Sequence, residues 1–233
     1  MLWKKGWYET RIRLLFLLAV VVAITVLTMT GDPPPAGEGL GPLIGVTTIP
    51  AMAAAFWLAG AGVKTQLGGL QRSKGLHGSM YYTLSLPVKR TRLFSVRVSL
   101  GLAETAGILA LTWSALWLVH PHPAIRPGPA PSDMFKQGVA TFFCVTAVYS
   151  LGVFFAAFLD DVYQHWATIF TVAGTIVILS RVPLPASMDA FLVLSLASPL
   201  NTHTMPWIAM AVLLGLSGML LLIALKIVRS LEY

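Results

Sequence analysis

Six apolar runs, each near the length that crosses a membrane, constrain this chain more than any single motif does. Crossing ~30 Å of hydrocarbon takes about 20 helical residues. Runs that meet or approach this test extend from about Leu14 to Thr30, Leu43 to Val63, Val98 to Val119, Gly138 to Leu159, Trp166 to Leu179 and Trp207 to Ile227. With 56% hydrophobic and only 11% charged residues, the chain is too apolar for a soluble domain of its size. The expectation is an all-α membrane protein of six transmembrane helices, forming a single membrane domain over residues 1–233.

Proline punctuates the runs. GDPPPAGEG separates the first two and HPHPAIRPGPAPSD the third and fourth, and neither can continue a helix. After the fifth run comes RVPLPASMDAFLVLSLASPLNTHTMP, whose apolar centre from Ala190 to Leu200 is too short to span. It reads as a short surface or re-entrant helix between spans five and six.

Residues 1–13 set Trp3, Trp7 and Tyr8 among Lys4, Lys5, Glu9 and Arg11, the composition of a helix lying at the membrane interface. A cleaved signal peptide is the rival reading of residues 1–30. The exit sequence TMTGDPPP lacks a small-x-small cleavage site, which favours a retained anchor.

Lysine and arginine fix the orientation, because positively charged loops stay on the cytoplasmic side. With six spans, one side receives all of the sixteen lysines and arginines except Arg126, Lys136 and Arg181, that is, thirteen. Both termini are therefore expected in the cytoplasm of a cell bounded by this inner membrane, with the proline-rich loops outside. The net charge of +7 follows from topology, and nucleic acid is not an expected partner.

The most informative interruption is QRSKGLHGSMYYTLSLPVKRTRLFSVR, residues 71–97. Connections within helical bundles commonly take 2–8 residues, whereas the segment from Lys64 to Arg97 is about 34 residues long. Within it, SMYYTLSLPVK is amphipathic and broken by Pro87. A basic cluster, Lys89, Arg90, Arg92 and Arg97, then leads into span three.

The order Gly78, Thr83-Leu84, Leu86-Pro87, Lys89-Arg90, followed by a basic approach to a helix, resembles the membrane subunit of type-2 ATP-binding-cassette exporters. The layout of an interfacial N-terminal helix, six spans and an outer helix after span five is similar as well. Gln71-Arg72 departs from the pattern, since many relatives carry an acidic residue before the arginine. The resemblance implies a permease whose cytoplasmic loop couples to a separate ATPase subunit through His77, Gly78, Met80, Tyr81, Thr83, Leu84, Leu86 and Pro87. It also implies a second permease copy or paralogue, and ATP and Mg bound by the partner ATPase. This chain itself has no G-x-x-x-x-G-K-[ST] phosphate loop, so it is expected to hold no cofactor and to be a transporter permease, not an enzyme. A different class stays open: a membrane assembly or scaffold protein, or a membrane-embedded enzyme, that holds anionic lipid with the same basic loop.

Glu104 is the only acid inside an apolar run. It lies roughly 10 Å beyond Arg97 along a helix, where it reads either as a translocation-path or gate residue or as a structural carboxylate paired with a nearby hydroxyl or cation. Asp160 and Asp161 are read as closing span four, where the carbonyl end of a helix calls for a basic partner. Cys144, the single cysteine, reads as a small hydrophobe. His77, His120, His122, His165 and His203 fall in loops or at span ends, without the spacing of a metal or haem site. Nothing resembles a hydrolytic motif.

Overall fold

A computed structural model describes residues 2–30, 41–59, 89–119, 131–159, 161–183, 185 and 205–230. These residues form six helices: α1 (Leu2–Thr30), α2 (Gly41–Leu58), α3 (Arg90–Val119), α4 (Pro131–Ala156), α5 (Asp161–Leu179) and α6 (Trp207–Ser230). Each apolar run of the sequence has its helix. Among the described residues three segments, Thr91–Ala115, Ser132–Ala156 and Trp207–Ser230, are long and apolar enough to cross a bilayer, as a membrane protein requires.

The helices alternate in direction, and side-chain contacts establish it. Thr10 near the start of α1 meets Glu104 of α3, and Arg13 reaches the carbonyl of Trp57 at the end of α2. Tyr149 late in α4 reaches Val98 early in α3, and Gln164 at the start of α5 reaches Ala59 just past α2. At the other end, Trp113 lies against Gly138. Ala140 and Cys144 of α4 pack with Met210 of α6, so α4 and α6 run in the same direction. The start of α1 and the end of α6 therefore share one end of the bundle with the roots of the segment between α2 and α3.

Close approach gives this end its core. A Cβ on Gly152 would stand 2.5 Å from the Cβ of Ala59, a separation only glycine allows. The small residues Ala51, Ala54 and Ala55 of α2 are fully buried beside Val145, Val148 and Val153 of α4. Small side chains let membrane helices approach until backbones nearly touch, which is where packing in hydrocarbon is strongest.

Three expectations need correction. The interfacial helix at 1–13 is not separate, because α1 runs unbroken from Leu2 to Thr30, about 43 Å at 1.5 Å per residue. No proline interrupts it, and within it Thr10 is buried and bonded to Glu104 of α3. The loop drawn to Arg97 stops short of Arg90, where α3 begins. Lysine and arginine are good helix formers, and the burial rhythm of α3 is already running at Leu93, Phe94, Arg97 and Val98. Finally, Asp161 does not close α4 but opens α5, the end at which the helix dipole favours negative charge.

Candidate functional site

The described end of the bundle that carries the basic residues is built around the two roots of the 60–88 segment, where α2 ends and α3 begins. The last carbonyls of a helix lack intrahelical partners and must find donors elsewhere. At α2 two other helices supply them. Arg13 Nη1 of α1 donates to the Trp57 carbonyl at 2.8 Å, and Gln164 Nε2 of α5 donates to the Ala59 carbonyl at 2.7 Å. Phe16 adds an edge-to-face contact with Trp57, with ring centroids 5.0 Å apart. Gln164 is buried and in turn accepts at its backbone carbonyl from Thr168, one turn on.

The second root is fixed by a buried polar cluster. Arg97 and Glu104 lie seven residues apart, two turns on one face of α3, and both are only 7% exposed. The Thr10 hydroxyl donates to Glu104 Oε1, tying α1 to α3. The Arg97 charge acts on the same carboxylate and offsets part of the cost of burying it. Between them, Tyr149 of α4 donates to the Val98 carbonyl at 3.2 Å, its hydroxyl resting where a Cβ on residue 101 would stand, a position kept open by Gly101. Glu104 Oε2 is buried with no hydrogen-bond partner among the described residues. A buried carboxylate anchored through one oxygen to Thr10, with Arg97 two turns back on the same face and Tyr149 bonded to Val98 between them, is a polar joint of α1, α3 and α4.

The residues singled out by sequence fall on different sides of what is described. His77, Gly78, Met80, Tyr81, Thr83, Leu84, Leu86 and Pro87 lie outside the described residues, as do residues 190–200, where a short helix is expected from sequence. Lys89 precedes α3 and is exposed, Arg90 is its first residue, and Arg92 is exposed on its first turn. Arg97 is the correction: it does not join this exposed cluster but enters the buried joint, because its position repeats the core-facing rhythm of Leu93, Phe94, Val98 and Gly101.

Sequence reasoning missed Thr10, Arg13, Tyr149 and Gln164. Gln164 carried a signal, since an amide followed at i+4 by Thr168 lies just before the fifth apolar run. Arg13 carries topogenic charge and is a candidate partner for Asp160 and Asp161 by sequence, whereas its described bond goes to the Trp57 carbonyl.

The chain matches no family model, no curated protein and no solved structure.

Proposed function

We propose that this chain is the membrane permease subunit of a type-2 ATP-binding-cassette exporter, moving an amphipathic or apolar substrate out of the cytoplasm. The observation that carries this reading is the construction of the two roots of the basic segment. A segment that receives force from a soluble partner must be tied to spanning helices at both ends, and here the end of α2 is held by Gln164 while α3 is tied to α4 at Val98 and to α1 at Glu104, eight and fourteen residues beyond its first residue. The Gly78 to Arg90 pattern lies between those roots.

All six helices act as spans in this proposal. α4 and α6 run in the same direction, so the chain recrosses between them, and α5 is the described helix available to do so. Lys89, Arg92, Lys226 and Arg229 mark the shared end as cytoplasmic, whereas Lys136 and Arg181 belong to the other end. Residues His77 to Pro87 dock on the ATPase, which binds ATP and Mg, and closure of its nucleotide sites moves α2 and α3 through their fixed roots. Two permeases flank the path, and Glu104 acts from within the joint that links α1, α3 and α4.

The test is co-purification of the chain with an ATP-binding-cassette ATPase, with hydrolysis measured in lipid. Leu84→Asp or Leu86→Asp is expected to abolish capture of the ATPase and any stimulation of its turnover, while the permease keeps its thermal midpoint. Retained coupling in both variants would remove the assignment.

A further inference from the structure

α5 and α6 each pack on α4 and barely on one another. The gap encloses a cavity of about 280 Å³, floored by Cys144 and Val148 of α4 and walled by Val172 and Ile176 of α5 and Leu213 and Leu220 of α6. Its mouth is Thr171, Thr175 and Leu216, which line it and are also exposed on the outer face. No charged side chain lines it, and the Thr175 hydroxyl is spent on the Thr171 carbonyl at 2.7 Å. Ordered water needs two to four polar partners, so the cavity suits an apolar guest. Phe170 and Val177 on α5 and Val212 on α6 present exposed apolar surface around it, which places the mouth against lipid.

Charge stands at one end. Leu179 lines the cavity, and the chain then turns through Ser180, Arg181 and Val182, whose backbone amides donate to Ile176, Ile178 and Leu179. This turn sets Arg181, which is exposed, two residues past the cavity-lining Leu179. The other described cation at that end, Lys136, is engaged by Asp133 at 2.9 Å.

We infer that this cavity holds an acyl chain of an anionic membrane phospholipid whose phosphate is bound by Arg181. The inference does not rest on the transport reading, and its test needs no ATPase. The full chain in phosphatidylcholine nanodiscs is irradiated with a trace of phosphatidylglycerol carrying a diazirine in its tail, and the crosslinks are mapped by mass spectrometry. The expected result is crosslinking concentrated on the peptides spanning 144–151 and 213–220, competed by unlabelled phosphatidylglycerol. Arg181→Ala lowers this labelling about fivefold, the factor that about 1 kcal/mol per interfacial charge gives. Thr175→Trp, a change at an exposed position, closes the mouth and removes labelling at 144–151 while leaving that at Leu222 and Ile223 intact. Crosslinks spread evenly along the exposed face of α6, with no enrichment at 144–151, would overturn the site. Equal labelling of 144–151 by a trace of phosphatidylcholine carrying the same tail diazirine would overturn the assignment of the headgroup to Arg181.

Discussion

Side-chain hydrogen bonds that join one helix to another are concentrated at the α1–α4 end, in contrast to the α5–α6 flank. In the first region four side chains reach across to other helices, Thr10 to Glu104, Arg13 to Trp57, Tyr149 to Val98 and, from the start of α5, Gln164 to Ala59, while Ser95, Ser99, Thr105, Thr112 and Ser114 of α3 bond within their own helix. In the second they fold back onto their own helix, as Thr175 does to Thr171, Ser180 to Val177, Ser217 to Leu213 and Ser230 to Ile227. Among the described glycines the close-packed ones fall in the first region, although Gly107 of α3 is open as well. Gly101 and Gly152 each abut a neighbouring helix, whereas Gly174, Gly215 and Gly218 have nothing within reach. One region is joined across helices, and the other is finished helix by helix for an apolar solvent. Crossing bonds hold a geometry between elements, and self-contained helices do not, so the end that anchors the basic segment is the stiff one.

The strongest way to break this contrast is to remove the buried carboxylate. Glu104→Ala leaves the nearby Arg97 charge without it and is expected to destabilise the chain by about 3 kcal/mol. Unfolding in mixed micelles measures this, and Glu104→Met combined with Arg97→Met should recover part of the loss. Gly152→Ala pushes a methyl into Ala59 and should cost about 1–3 kcal/mol through overpacking, readable as a lowered thermal midpoint. Gln164→Leu takes the donor from the Ala59 carbonyl, at a cost of about 1–2 kcal/mol, and hydrogen exchange should rise at the last turn of α2 before it rises elsewhere. Thr10→Val removes one interhelical bond, worth about 0.6–1.7 kcal/mol in a membrane. Gly218→Ala, on the open face of α6, should change stability by less than about 0.5 kcal/mol. A Gly218 effect as large as that of Gly152 would erase the distinction between the two regions.

Much of the fold is legible in the sequence, since hydrophobic length locates six helices. Helix limits are less legible, for a physical reason. The basic residues before span three look like loop by charge, yet the burial rhythm of α3 starts at Leu93 and places Arg97 in an inward position. Charge hid a periodicity that was present in RTRLFSVRVSLGLAE. Glu104 is legible as an outlier, and a hydroxyl partner was among its readings. That this hydroxyl is Thr10 was not legible, because the two are 94 residues apart and nothing local links them. The grip of Gln164 on Ala59, 105 residues away, was hidden in the same manner.

The shared end occupied by the start of α1 and the end of α6 has a practical consequence. In the proposed six-span arrangement, two copies of the chain can be fused head to tail by a flexible linker that never has to cross the bilayer. Such a tandem would let a substitution be placed in one half alone, so that a defect needing both halves separates from one that a single intact half can rescue.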